Sequence, residues 1–165
     1  MPEFLIPEEI LNNLNLAENM NACEFGCGPG FFTLALARRL KKGKVFGLDA
    51  QPEKLSVLSS KAVHLEGLKN VFTMQCDLEN PFGSGIRRNY LDVVLIPNLL
   101  FQAENKCAII KEGERILKPK GQLLIVDRPA EVLSLKQIKI MAAQSGLLFR
   151  REFFTDNYFG LLYTK

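Results

Sequence analysis

The sequence predicts an α/β protein built on an open, mostly parallel seven-stranded sheet with helices on both faces. Three observations lead there. Seven short apolar runs alternate with segments of helical period along most of the chain. One of them, LDVVLI at 91–96, is apolar almost throughout, the pattern of a strand covered on both faces. The last two follow each other across Asp156-Asn157, a hairpin signal, which puts one antiparallel strand into the sheet.

The elements follow in order. Pro7-Glu8-Glu9 opens a short amphipathic helix carrying Ile10, Leu11 and Leu14, with proline and acids at its start. A strand is expected over 21–25, then the turn EFGCGPG. A helix over 31–40 ends in basic residues and Gly43. A strand over 44–48 stops at Asp49, and Gln51-Pro52-Glu53 begins a helix that runs to about Gly67. Strand 70–75 and a Gly/Pro/Asn-rich loop at 79–89 lead into 91–96. Helix 104–117, a turn at Lys118-Pro119-Lys120-Gly121, and strand 122–126 ending at Asp127 come next. Helix 135–145 is closed by Gly146, and strands 148–154 and 158–164 finish the chain. Right-handed crossovers make such a sheet doubly wound, with ligands held at the carboxyl ends of its strands. That edge gathers 24–30, Asp49, Asp77, Pro97-Asn98 and Asp127.

Length and charge narrow the function classes. A chain of 165 residues is expected to form one domain, with 1–19 a short helical lead-in. The formal charge of +3 comes without a long basic run, so nucleic acid is not the expected partner. The cysteines Cys23, Cys27, Cys76 and Cys107 form no CxxC pair, and His64 is the sole histidine, so neither metal nor disulfide is expected. His64 falls inside a helix, away from the ligand edge. No apolar run reaches the length of a membrane span, and the acidic, proline-bearing start does not read as a signal peptide. The expected location is the cytoplasm.

The glycine turn carries the chemistry. Gly26, Gly28 and Gly30 alternate between a strand and a helix, where the backbone can approach a ligand closely and the helix N-terminus favours negative charge. Phe31 and Thr33 stand where a dinucleotide fingerprint needs a small residue, and no lysine follows as in a phosphate loop. The spacing that fits is acid-x-G-x-G-x-G, filled by Glu24, Gly26, Gly28 and Gly30.

At this point the sequence resembles the class I S-adenosylmethionine-dependent methyltransferases, a Rossmann-like fold with an antiparallel C-terminal strand. The resemblance runs from about Leu16 to the end. It includes KVFGLDAQPEKL, VFTMQCDLENPF, LDVVLIPNLL, ERILKPKGQLLIVD and the ending YFGLLYTK. The nearest group is the small-molecule enzymes that include those of quinone biosynthesis.

The resemblance implies S-adenosyl-L-methionine as cofactor and S-adenosyl-L-homocysteine as product. It implies a cofactor site of Glu24, Gly26, Cys27, Gly28, Gly30, Asp49, Ala50, Cys76, Asp77, Leu78 and Pro97. The three glycines would let the methionine portion lie on the backbone, with Glu24 offering charge to the ammonium or else capping the turn. Asp49 would take the ribose hydroxyls or cap the next helix. Asp77 would meet the adenine amino group between Cys76 and Leu78, or serve as a turn acid; Gln51 and Pro52 would cover the ribose.

No nucleophilic side chain is needed. The catalytic residues are not assigned: Asn98 and Asp127 are the candidates, with Gln102 and Arg128 beside them, and Asp127 equally able to cap a loop. Phe31, Phe32 and Phe101 are pocket walls or core. Only about 20 residues precede the first strand, so the site is expected to be open, truncated, or completed by another subunit or copy. The expected acceptor is a small molecule. The alternatives are a non-catalytic adenosylmethionine-binding module or an RNA methyltransferase.

Overall fold

The structure is a computed structural model describing residues 5–129, 134–155 and 157–165. Its sheet is ordered β3-β2-β1-β4-β5-β7-β6. The strands are β1 (Ala22–Phe25), β2 (Val45–Asp49), β3 (Val71–Gln75), β4 (Leu91–Pro97), β5 (Leu117–Asp127), β6 (Leu148–Phe154) and β7 (Phe159–Thr164). Only β7 runs antiparallel to its neighbours β5 and β6. The strand order reverses between β1 and β4, the crevice where open sheets hold ligands.

Each helix lays an apolar stripe on the sheet. The helices α1 (Pro7–Leu11), α2 (Phe31–Arg39) and α3 (Pro52–Ser60) cover one face. There Leu11, Leu36 and Leu40 pack on Val45 and Val93, while Leu58 and Leu55 pack beside Cys27. The helices α4 (Lys106–Ile116) and α5 (Leu135–Gln144) cover the other, through Ile109, Ile110, Ile116 and Ile138. Beyond α3 the chain keeps winding as a π-helical turn, Lys61–Leu65, which leaves His64 exposed. The Asn15 backbone and the Gln122 amide exchange two hydrogen bonds, 2.9 and 2.8 Å, and these tie the N-terminal segment to β5.

Two expectations need correction or restriction. The turn at Lys118-Pro119-Lys120-Gly121 is part of β5. Leu117 pairs with Leu91, and the register shifts before Val93, so the extra residues are absorbed as an irregularity within the strand. Neighbours hold this stretch: Lys118 Nζ meets Asp92, and the Lys120 amide donates to the Lys165 carbonyl at 2.9 Å. Lys120 takes the positive φ of 67° that the detour requires. At the C-terminal hairpin, Asp156 lies outside the described residues; the Thr155 amide donates to the Tyr158 carbonyl at 2.8 Å.

The loop 79–89 is anchored from below. Glu112 on α4 is buried and accepts from the Ser84 amide and hydroxyl, while Arg115 binds the same carboxylate at 2.7 Å and the Ile86 carbonyl at 2.6 Å. Burial pushes the Glu112 carboxyl up, yet the hydrogen bonds from Arg115 and Ser84 outweigh it and hold the group below its ordinary range. Among the described residues no helix is long and apolar enough to cross a membrane.

Candidate functional site

The three glycines of the turn do three different things. All have positive φ, 67° at Gly26, 51° at Gly28 and 90° at Gly30. A Cβ on Gly26 would stand 3.0 Å from Leu99 Cδ1, and one on Gly30 would stand 2.2 Å from Leu58 Cδ1. Gly30 therefore serves packing, leaving room for α3 to lie against the turn. A Cβ on Gly28 would meet nothing within 4 Å. Open space begins at that residue.

Asp49 holds the turn from the end of β2. It is buried; Oδ2 accepts from the Gly28 amide at 2.9 Å and Oδ1 from the Gln51 amide at 2.9 Å. One carboxylate thus fixes the glycine turn and the start of α3 together.

Glu24 sits in β1, 2% exposed. Its Oε2 accepts from the Thr33 amide at 2.7 Å and the Thr33 hydroxyl at 2.5 Å, in the first turn of α2. Burial pushes its carboxyl up to about 8; the Thr33 hydrogen bonds oppose this, and the Asp49 charge adds to it. A carboxyl raised in the folded state contributes stability below its unfolded value near 4.5, and loses it as the pH climbs through 8. Glu24→Gln keeps an acceptor for Thr33 and removes the titration. The variant is expected to match the wild type near pH 5 and to exceed its stability near pH 8 by on the order of 2 kcal/mol. Melting curves of both proteins across that range check this, and equal pH slopes would contradict it. Burial likewise raises the Cys76 thiol to about 11 and lifts Cys27 well above the usual thiol range, so both stay protonated.

Two cavities meet at Gly26. One, of about 300 Å³, is lined by Asp49, Ala50, Gln51, Cys76, Asp77, Leu78 and Gln102. The other, of about 440 Å³, is lined by Glu24, Cys27, Gly28, Pro97, Asn98 and Arg128, with apolar walls from Phe31, Phe32 and Tyr158. Apart from Gly30, the expected cofactor residues all line one or the other. Pro52 and Phe101 line neither. A wider groove of about 750 Å³ beside Arg38, Lys41 and Lys69 lies at the start of β3, away from the strand ends that bear the acids.

The candidate catalytic pair separates. Asn98 faces the larger cavity, held at a positive φ of 51°, and its Oδ1 is buried with no hydrogen-bond partner among the described residues. A buried acceptor left open beside a cavity is ready for a donor from a ligand. Asp127 is fully buried and lines neither cavity. Its oxygens accept from the Phe101 amide at 3.1 Å and the Arg128 amide at 2.9 Å, so it clamps the loop after β4. Burial raises its carboxyl, and those backbone donors oppose the shift. These bonds match the loop-capping alternative for Asp127.

Asp77 is exposed and accepts from the Glu79 amide at 3.0 Å and the Asn80 side chain at 2.8 Å, a local turn at the cavity rim. The Arg128 guanidinium lies between the rings of Phe101 and Tyr158, 5.9 and 5.7 Å from their centroids. Phe31 is 64% exposed at the cavity mouth, whereas Phe32 is buried and joins the cavity wall to the core. Sequence reasoning missed Leu99, Leu5 and Tyr158 as cavity residues. They come from a loop and the two ends of the chain, and no local pattern marks them. Among the described residues no cluster of three or more metal-ligating side chains occurs.

Comparison with known proteins places this arrangement. Residues 16–146 match the family model described as a methyltransferase domain. The chain is 29% identical over 133 residues to the demethylmenaquinone methyltransferase of Staphylococcus epidermidis, covering 79% of this chain and 53% of that protein. It is 30% identical over 116 residues to that of Geobacillus stearothermophilus, covering 69% and 47%. The chain therefore spans about half the length of the curated relatives it matches.

Among solved structures, a SAM-dependent methyltransferase from Aquifex aeolicus is similar at a TM-score of 0.85 and 24% identity, covering 96% of this chain and 88% of that one. The cyclase SpnF is similar at a TM-score of 0.84 and 13% identity, covering 96% and 80%. At these identities the likeness establishes the fold, and SpnF illustrates that the shape alone does not set the reaction.

Proposed function

The chain belongs to the methyltransferase-domain family, and on that premise we propose that it binds S-adenosylmethionine and directs its methyl group to a small, largely apolar acceptor. The observation that carries the reading is Gly28. Its missing side chain opens onto free space in the larger cavity, beside two buried acids. The methionine portion would lie over Gly28 in the larger cavity. Glu24 Oε1 has no hydrogen bond among the described residues, and an ammonium placed beside it would favour the carboxylate over the protonated form that burial sets in the free protein. The nucleoside would fill the smaller cavity. Each Asp49 oxygen keeps a second acceptor position for a ribose hydroxyl, and Cys76, Asp77 and Leu78 would surround the adenine.

The bound cofactor supplies an electrophilic methyl group at its sulfonium. The chain's share would be placement, holding the acceptor against that group. Asn98 Oδ1 would take a hydrogen bond from the acceptor, and Phe31, Phe32, Pro97 and Tyr158 would wall its apolar part. Glu24 is the sole carboxylate among the described residues lining that cavity, so an acceptor that loses its proton readily fits best. The relatives' names and the aromatic walls make a quinol-like ring the first acceptor class to test.

Calorimetry is expected to show adenosylmethionine and adenosylhomocysteine binding, with NAD silent. Labelled cofactor with aromatic diols is expected to yield adenosylhomocysteine and methylated product. NAD binding without any response to adenosylhomocysteine would sink the reading. Binding without turnover across the acceptor series would select a non-catalytic module working with a partner.

A further inference from the structure

The two edges of the sheet are built differently. At one edge, β6 carries Arg150, Arg151 and Glu152 and a register shift between Phe149 and Arg151. Charges and irregularities of this kind keep an edge from recruiting another strand. At the other edge, β3 reads VFTMQ, without charge or proline, in unbroken register with β2 from Val71↔Val45 to Gln75↔Asp49. Its inner side is identified by two bonds: the Val45 amide donates to the Asn70 carbonyl, and the Cys76 amide to the Asp49 carbonyl. Backbone groups alternate along a parallel strand, so those of Phe72 and Met74 also face β2. The N–H and C=O of Val71, Thr73 and Gln75 then point outward, and among the described residues no strand pairs with them.

We propose that β3 pairs antiparallel with β3 of a second copy of this chain, across a two-fold axis at Thr73. Outward groups must form the hydrogen-bonded pairs, and this register makes Thr73 meet Thr73 and Val71 meet Gln75. It also sets Phe72, 41% exposed, beside Met74 of the other copy. At each end it places exposed Lys69 opposite exposed Asp77. Centring on Val71 or Gln75 would also pair the outward groups, but separates Lys69 from Asp77. The charges therefore select the Thr73 register, and the pairing extends both sheets into one. Asp77 also lines the smaller cavity, so the variants are read by association and not by cofactor binding or turnover.

Sedimentation velocity over a concentration series tests it on the full chain. The wild type is expected to pass from monomer to dimer. Thr73→Pro removes an N–H that bonds to nothing in the monomer, and proline is tolerated on an edge strand. It removes two hydrogen bonds from the dimer and is expected to raise the dissociation constant by about ten- to about a hundredfold. Lys69→Glu is expected to weaken the dimer by like-charge contact, and adding Asp77→Lys to restore it. Should Thr73→Pro not fold, by circular dichroism, the Lys69 and Asp77 variants decide alone. A wild type that stays monomeric, or a dimer that folded Thr73→Pro and Lys69→Glu leave unweakened, overturns the proposal.

Discussion

Asp49→Ala is expected to lose cofactor affinity and stability together. In the structure the carboxylate accepts one backbone amide on each oxygen, from Gly28 and from Gln51. Hydrogen bonds to a charged group are worth about 1.5 to 3 kcal/mol each, and water replaces part of that at a site near the surface. The stability loss is expected at about 2 kcal/mol, larger than for a simple helix cap, because the glycine turn is released as well. The affinity loss should reach about 2 to 4 kcal/mol, or roughly 30- to 1000-fold, if the same oxygens hold the ribose. Thermal unfolding and adenosylhomocysteine calorimetry on one mutant separate the contributions. A stability drop with unchanged affinity would leave Asp49 as a clamp on the turn and remove it from the binding site.

Gly28→Val is expected to abolish cofactor binding in a protein that still folds. The backbone at φ 51° is unfavourable for a β-branched residue, at a cost of about 1 to 3 kcal/mol. No atom stands within 4 Å of the added Cβ, so the fold has room for it, and the side chain enters the space assigned to the ligand. Affinity should fall by at least about 1000-fold, more than 4 kcal/mol. Gly30→Val is the contrasting case. Its Cβ would stand 2.2 Å from Leu58 Cδ1, so that change strikes the packing of α3 and the melting temperature. Wild-type adenosylhomocysteine affinity in a folded Gly28→Val protein would show that no ligand lies against this turn.

Most elements and their order were legible in the residues alone. Apolar runs marked the strands, helical period marked the helices, and Gly26 and Asp49 stood where strands end. These features are local: side-chain period and backbone freedom act over a few residues, so a short window reveals them.

Which residues meet depends on packing between distant segments. Gly28 and Gly30 read alike in sequence, yet one faces open space and the other Leu58, because α3 packs from 28 residues away. Asn98 follows β4 and Asp127 ends β5, but the loop after β4 folds over Asp127, whereas Asn98 lines the cavity with its Oδ1 buried and unpartnered among the described residues. Lys118 to Gly121 carry turn chemistry, and pairing with neighbouring strands drew them into β5. That β3 is left as an open edge follows from strand order alone, and no residue in VFTMQ announces it. Contacts between distant segments depend on how whole faces pack, and that burial outweighs the preference of any short stretch.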